Sequence, residues 1–257
     1  MNSVFKLTKV TMLLSAVMIL PGCVIHVGAS SADVHLQEEL QLNANQLDTL
    51  EVDAGAGSLT IIGDANATDI SVSANIHTTE EKDFQLMLVQ KGSRAVLTSE
   101  NGSTSGFWNG QSPSIDLTIT VPAHLALDIE DGSGDINIKG INNHVDISDG
   151  SGEMLVENVQ GNLSIDDGSG ELEVNNVSGD VIIDDGSGEL VVKNISGNVS
   201  VIDGSGDLRI HHVGGKVSID DGSGGIDVLD AGGLNITESG SGGLQVKDIK
   251  GEFNIES

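Results

Sequence analysis

The chain has 257 residues, of which 39 are Asp or Glu and only 11 are Lys or Arg, so its formal net charge at pH 7 is −28. A surface this acidic excludes general nucleic-acid binding and argues against electrostatic docking on anionic lipid, since both need basic residues. Apolar residues make up 38% of the chain and follow regular patterns, which excludes a disordered protein.

Residues 1–22 have the features of an export signal. Two lysines precede an apolar run over residues 10–20, which is too short to span a bilayer as a helix. The run ends in Leu20-Pro21-Gly22-Cys23, which resembles the lipobox of bacterial lipoproteins. The resemblance implies cleavage before Cys23 and lipid attachment to it. Because Val24 rather than Asp follows, it implies the outer membrane if the cell is Gram-negative. The alternative is an ordinary secretory signal with a chance cysteine.

Residues 23–46 are predicted to be a tether, because no strong helix cap or apolar stripe marks an element there. Residues 47–130 show strand patterns without a fixed period, and we expect this irregular β region to cap a longer repeat structure. The candidate strands are residues 50–52, 59–61, 70–72, 86–88, 95–97, 115–119 and 125–127. The Gly/Ser-rich loop over residues 101–114 carries Phe107 and Trp108, which form either an exposed binding tip or a cover over the core end.

From residue 131 to 257 the sequence repeats every 18 residues. Each copy has two halves, in which a glycine turn and an acid precede apolar residues at alternate positions. This pattern predicts an all-β solenoid, β-helix-like, whose seven coils have two short strands each and stack about 4.8 Å apart. The tetrapeptide Asp-Gly-Ser-Gly begins each of the first six copies, at Asp131, Asp149, Asp167, Asp185, Asp203 and Asp221.

The second turn carries glycine in a fixed column, with Asn143 in the first coil, which we interpret as a position that requires positive φ. The coil that contains Gly233 is one residue short ahead of its apolar pair and regains that residue before Ser239. The last two coils lose the acid after the first-turn glycine, and Phe253 is the only Phe, Tyr or Trp of the repeat region. We therefore expect these coils to cover the open end of the core. The glycine column is Gly161, Gly179, Gly197, Gly215, Gly233 and Gly251.

The six aspartates of the tetrapeptide should form a ladder along the rod. Carboxylates about 4.8 Å apart repel by roughly 1 kcal/mol per pair even in water, and Ca²⁺ would remove this cost. The known calcium-binding nonapeptide of β-rolls, however, places an Asp where this repeat has Leu172 or Leu190. The alternative is that Asp-Gly simply favours the turn and that the charge keeps the rod soluble.

The segment Val121-Pro122-Ala123-His124-Leu125-Ala126-Leu127, followed by the Gly-Ser-Gly-acid units, resembles the DUF4097 family of bacterial β-strand-repeat proteins, which carry an adhesin label. The resemblance covers about residues 47–257. It implies an extended and often exported β-solenoid with no established enzymatic activity. It provides no catalytic residues to transfer to this chain.

We therefore expect a non-enzymatic, lipid-anchored cell-envelope or surface protein that acts as an adhesin or scaffold. Its partners would be the membrane, through the anchor, and an envelope protein or glycan. One alternative is a Ca²⁺-binding module, and another is a polysaccharide-processing β-helix enzyme. The enzyme is disfavoured because the coils carry no insertions and Arg94 and Arg209 are the only arginines. His212 takes a column held by asparagines in earlier coils, which favours a structural role over a ligand role.

Overall fold

The computed structural model describes residues 32–102, 108 and 110–256. Within these ranges the regular secondary structure consists of strands, and all of them belong to one continuous hydrogen-bonded network. The described residues include no helix with the length and hydrophobicity needed to cross a membrane. In chain order the strands are β1 (Val34–Asn43), β2 (Thr49–Ala56), β3 (Leu59–Asp64), β4 (Asp69–Thr78), β5 (Phe84–Lys91), β6 (Arg94–Asn101), β7 (Ser114–Pro122), β8 (Ala126–Ser133), β9 (Ile136–Lys139), β10 (Val145–Asp149), β11 (Met154–Val159), β12 (Leu163–Asp167), β13 (Leu172–Val177), β14 (Val181–Asp185), β15 (Leu190–Ile195), β16 (Val199–Asp203), β17 (Leu208–Asp221), β18 (Ile226–Ser239), β19 (Leu244–Ile249) and β20 (Phe253–Ile255).

Parallel pairing between successive coils builds the solenoid. One sheet stacks β8, β10, β12, β14 and β16, and the other stacks β9, β11, β13 and β15. β17 and β18 are long enough to run through both sheets, and β19 and β20 complete the last coil. Paired residues such as Leu172 and Leu190 lie 18 positions apart. The predicted solenoid, with 18-residue coils and two strands per coil, is confirmed.

The core is a thin layer between the two sheets. Since side chains alternate along a strand, inward residues are two positions apart, except that Val177 follows Val174 by three positions, across Asn176 with its positive φ. One coil contributes five side chains that are each at most 1% exposed: Leu172, Val174, Val177, Val181 and Ile183. Each of these side chains packs against its counterparts in the coils above and below, so no coil has a core of its own.

The N-terminal region adds further coils in a different chain order. β2 and β3 form a coil that pairs in parallel with β8 and β9 on one side and with β6 and β7 on the other. β5 then pairs antiparallel with β6, and β4 antiparallel with β7. The predicted strand segments all fall in β2–β8, except that Leu125 precedes β8 by one residue. The expected irregular β cap is therefore present.

The structure corrects the described part of the predicted tether over residues 23–46, whose residues 23–31 lie outside the described residues. β1 spans Val34–Asn43 and pairs antiparallel with β4 along its whole length. Val34, Leu40 and Leu42 are buried, whereas Glu38 occupies an alternate position between them and is half-buried. This acid interrupts the apolar alternation, which is why the pattern did not predict a strand.

The predicted change of phase in the sixth coil is confirmed. Val213 pairs with Ala231, 18 positions later, but Val217 pairs with Leu234, only 17 positions later, and the offset returns to 18 at Asp220. Thr237 is the regained residue, and its Oγ1 donates a hydrogen bond to the carbonyl of Ile219 at 3.1 Å. Two local irregularities thus absorb the slip, and the apolar residues keep their inward face.

The expected cover over the C-terminal end is not complete. Phe253 pairs in register with Leu234, but it is 57% exposed, and Leu244 in the same last coil is 43% exposed. A single ring on a three-residue strand is too small to shield the end of a two-sheet core. The last coil therefore continues the solenoid without closing it.

Candidate functional site

The six predicted ladder aspartates lie in register, and their side chains are buried. Parallel pairing places Asp131 opposite Asp149, and each later Asp opposite the next one as far as Asp221. In β14, Asp185 continues the buried alternate positions of Val181 and Ile183, so its carboxyl group points inward. The six side chains are at most 8% exposed. In contrast, the acids that directly precede four of them in the chain are exposed: Glu130, Asp166, Asp184 and Asp220.

Most ladder oxygens lack a hydrogen-bond partner among the described residues. The backbone N–H of Ser169 donates to Asp167 Oδ1 at 3.2 Å, and that of Ser187 donates to Asp185 Oδ1 at 3.1 Å. These are the side-chain contacts by which Asp favours a turn. The Oδ2 atoms of both residues are buried and unpartnered, as are both oxygens of Asp131, Asp149, Asp203 and Asp221. A buried carboxylate without partners is costly, so the ladder favours a neutral form or a counter-ion.

Burial raises the pKa of every ladder carboxyl, because removal from water disfavours the charged form. The pKa is raised to about 7 for Asp131 and to about 6 for Asp167 and Asp203. Repulsion from neighbouring carboxylates adds to this effect, whereas the turn N–H groups oppose it by stabilising the ionised form. Near neutral pH the ladder therefore holds protonated and ionised carboxyl groups side by side.

Adjacent carboxyl groups can share protons along the rod. Burial raises the pKa of Asp131, and the charge of the neighbouring Asp149 raises it further, so a protonated carboxyl here would lie beside an ionised one. None of the ion pairs in the described part of the chain involves a ladder aspartate. The negative charge is thus left to be neutralised by protons or by a bound cation.

A cation in the ladder would need ligands beyond the aspartates. In the described ranges, no three His, Cys, Asp or Glu side chains are grouped so as to hold a metal ion. Each interval between coils offers two ladder carboxyl groups, whereas Ca²⁺ takes six to eight oxygen ligands. Water or backbone carbonyl oxygens would have to complete the coordination.

The turns beside the ladder show why glycine is needed at both corners. Gly170, in the first turn, has φ of 154°, and a Cβ there would lie 1.7 Å from the carbonyl oxygen of Gly152. Gly179, in the second turn, is not among the residues with positive φ, but a Cβ there would lie 2.3 Å from the carbonyl oxygen of Gly161. The prediction that the second-turn glycines require positive φ is therefore wrong, and close approach of the coils explains them instead.

Positive φ near the second turn belongs to a different column. Asn176 has φ of 60° and His212 has φ of 61°, and the same conformation recurs at Asn158, Asn194, Asp230 and Asp248. Asn and Asp tolerate this left-handed region better than most residues do. His212 thus occupies an asparagine position of the backbone, and its Nδ1 lies 3.2 Å from an Asp230 carboxylate oxygen.

Of the other predicted site residues, only Trp108 lies among the described residues. Cys23 and Phe107 lie outside the described residues. Trp108 is half-buried. This burial lies between the two alternatives for the loop, an exposed tip and a cover over the core.

One polar feature of the described surface escaped the sequence analysis. His35 of β1 lies opposite His77 of β4, with ring centroids 4.1 Å apart, and the buried Nδ1 of His77 has no hydrogen-bond partner in the described ranges. Burial and the neighbouring His35 lower the pKa of His77. The pairing could have been found only by recognising β1 as a strand.

Several solved structures are similar to this chain over most of its length. A solved structure from Bacteroides fragilis described as a "putative adhesin" matches with a TM-score of 0.50 at 14% identity, covering 86% of this chain and 97% of that one. A "putative cell adhesion protein" from Clostridium sporogenes matches with a TM-score of 0.40 at 14% identity, covering 83% and 99%. A "putative lipid binding protein" from Parabacteroides distasonis matches with a TM-score of 0.45 at 14% identity, covering 86% and 97%.

No curated protein sequence matches the chain. The family model described as Toastrack DUF4097 matches residues 49–257, which include the irregular cap and every coil of the solenoid. The chain belongs to the Toastrack DUF4097 family.

Proposed function

We propose that the protein is a non-enzymatic, lipid-anchored component of the cell envelope that acts as an adhesin or scaffold. The observation that carries this proposal is the uninterrupted stacking of coils, in which no long loop insertion breaks the regular sheets. Such a rod suits the display of a repeated surface better than the formation of an enclosed catalytic pocket. The adhesin description of the Bacteroides fragilis structure, which has a similar fold, agrees with this role.

One flank of the rod displays acids at a regular spacing. An exposed acidic column runs along the starts of successive strands and contains Asp135, Glu153, Glu171, Glu189 and Asp207. Part of it lines a shallow cleft of about 410 Å³ together with the apolar side chains of Leu155 and Val191. Regular carboxylates beside apolar patches favour a cationic partner surface, on an envelope protein or on a glycan with amino groups.

The partner can be sought by capture from cell envelopes with the lipidated protein. Glu153→Lys combined with Glu171→Lys reverses the charge at two of the five positions of the acidic column and should release the captured partner. Asp166→Lys combined with Asp184→Lys, on the other sheet, changes the net charge equally and should retain it. A wild-type protein that captures nothing specific, or the same partner held by all variants, would contradict recognition through this column.

The lipid anchor is supported by the segment Leu20-Pro21-Gly22-Cys23. Wild-type protein should take up a radioactive fatty acid and fractionate with membranes, and in a Gram-negative cell with the outer membrane. Cys23→Ser should lose the label and either leave the membrane or remain unprocessed. A wild-type protein that takes up no label and is soluble would rule out the anchor.

A second candidate function is cation binding in the ladder, which the unpartnered buried oxygens favour. Calorimetry with CaCl₂ at pH 8, after dialysis against a chelator, should then show saturable heat. Asp167→Asn combined with Asp185→Asn should abolish that heat, whereas Asp166→Asn combined with Asp184→Asn should not. Absence of heat in the wild type would contradict Ca²⁺ binding by the ladder, and protons would then be what neutralises its carboxyl groups.

A further inference from the structure

Among the described residues, the coil of β19 and β20 leaves part of the apolar core exposed. Within the described residues, β19 and β20 pair on one side only, with β18. Leu244 and Phe253 are 43% and 57% exposed, although their counterparts one coil earlier, Ile226 and Leu234, are at most 2% exposed. Exposed apolar side chains on strands with a free edge form a surface that other strands can pair with.

The acidic columns stop before they reach this end. Ser239 follows Asp221 in the ladder, and Gly225 and Gly243 continue the exposed column beyond Asp207. Residues 244–256 contain two lysines and three acids, a net charge of −1, in a chain whose net charge is −28. Repulsion between copies of this chain is therefore weaker at the last coil than along the acidic columns.

The other end of the rod cannot accept a further parallel coil. There the sheets continue with β5 antiparallel to β6 and β4 antiparallel to β7, and β1 is the outermost strand next to β4. Head-to-tail stacking would need parallel strands on both contacting surfaces. A tail-to-tail contact between two identical ends has no such mismatch, and it closes at two copies.

The sequence of β19 is self-complementary in this arrangement. Asp248 has φ of 58° and forms a corner of the last coil, outside the strand pairing. When two last coils meet about a two-fold axis at this corner, Val246 lies near Ile249 of the other copy, and Lys247 lies near Asp248. Val246 and Ile249 are half-buried on the core side, and Lys247 and Asp248 are exposed. Apolar and opposite-charge pairs between neighbouring chain segments stabilise such a contact.

We propose that the protein forms a tail-to-tail dimer through β19 and β20, with Leu244 and Phe253 covered by the second copy. β1, through which the chain enters the fold, is the strand furthest from β19 along its sheet. The two N-terminal segments of the dimer would thus lie at opposite ends of a doubled rod. With the proposed lipid anchor, on which this step rests, the dimer would join two facing membranes and act as a homophilic adhesin.

Analytical ultracentrifugation of the purified full-length protein in density-matched detergent tests the dimer. The wild type should show a monomer–dimer equilibrium, and Phe253→Glu should weaken it by about tenfold or more. Ile182→Glu is the matched control, because Ile182 is 58% exposed on the side of the rod, and it should dimerise like the wild type. Both substitutions are at exposed positions, so melting curves should confirm that both variants fold.

Three results would overturn the proposal. They are a wild type that stays monomeric at all concentrations, a Phe253→Glu variant that dimerises as well as the wild type, and assemblies that grow beyond two copies. Liposomes carrying the lipidated protein test the adhesive step, since wild type and Ile182→Glu should cluster them and Phe253→Glu should not. A protein that dimerises in solution but fails to cluster liposomes would support the dimer interface and contradict the proposal that the dimer joins two membranes. Failure of lipid labelling, in contrast, would affect the anchor alone.

Discussion

The two turns of each coil meet the same stacking requirement with different residues. At the first turn, positive φ and close approach coincide on one glycine, as at Gly188, which has φ of 153°. At the second turn these two demands are separated. Asn176 takes the positive φ, and Gly179 accommodates the close approach.

The comparison shows that a glycine column in a repeat does not by itself identify a positive φ. It also shows that the two turns differ in chemistry, because only the first turn is preceded by a buried carboxyl group. The first turn is therefore the corner where the stability of the rod depends on protonation. The following predictions test that difference, beginning with the largest effect.

Substitution of the first-turn glycine should have the largest effect. The Cβ of Gly188→Ala would lie 1.5 Å from the carbonyl oxygen of Gly170, in a backbone conformation that alanine rarely adopts. We expect a loss of about 3 kcal/mol or more in the free energy of unfolding in urea. Gly197→Ala, at the second turn, meets a carbonyl oxygen at 2.4 Å without the φ penalty and should lose less. Equal losses at the two turns would contradict the distinction between them.

The free energy of unfolding of the wild type should fall as the pH rises. The fall should be larger than the gain from any single ladder substitution, because all six carboxyl groups contribute to it. The ladder pKa values are raised above the ordinary value near 4, so the folded protein binds more protons than the unfolded chain. The stabilisation is complete below about pH 4 and is lost as the pH rises through about 6 to 7. Urea midpoints measured between pH 5 and pH 8 should therefore fall. A midpoint that rises over this range would show that the ladder is ionised without cost.

Neutralising one ladder carboxyl should stabilise the rod at high pH. Asp185→Asn removes a buried charge and keeps an oxygen that can accept the Ser187 N–H. We expect a gain on the order of 1–2 kcal/mol at pH 8, which shrinks as the pH falls, because burial raises the pKa of Asp185 and favours its neutral form. The exposed neighbour offers a control, since Asp184→Asn should change little over the same pH range. Destabilisation by Asp185→Asn at pH 8 would indicate that the ionised form is the one the fold uses.

The smallest effect is expected at the second-turn asparagine. Asn176→Ala places alanine at φ of 60° and should cost about 1 kcal/mol, whereas Asn176→Gly should cost nothing or gain a few tenths. Thermal unfolding of the two variants resolves this difference. If alanine and glycine were equally tolerated, the positive φ at this corner would not be required.

The sequence predicted the solenoid well because one pattern, repeated every 18 residues, determined both the strand positions and the register. The ladder itself was predicted, but the same pattern also indicated that its side chains are buried, which was not predicted. Asp185 lies on the same alternate positions as Val181 and Ile183, so parity alone placed its side chain inside. A carboxyl group such as that of Asp185 is usually exposed, but the packing of the repeat buries it here.

Other features could not be predicted from local pattern. β1 is stabilised by its partner β4 in spite of Glu38, and its own alternation is too weak to indicate a strand. The exposure of Phe253 depends on what lies beyond the last coil, which no periodicity describes. The second-turn glycines required the distance between neighbouring coils, which becomes known only when the coils are stacked.

The central claim is that the six ladder carboxyl groups are buried and that burial raises the pKa of each, to about 7 for Asp131 and about 6 for Asp167 and Asp203. Carbon-13 NMR of the aspartate side-chain carboxyl groups in the folded protein, recorded from pH 3 to pH 9, tests it most directly. A small set of resonances should titrate at about pH 6 to 7, and Asp167→Asn should remove one member of the set and shift its neighbours. If every aspartate carboxyl titrated below about pH 5, the ladder would be ionised at neutral pH, and the account of the first turn would be wrong.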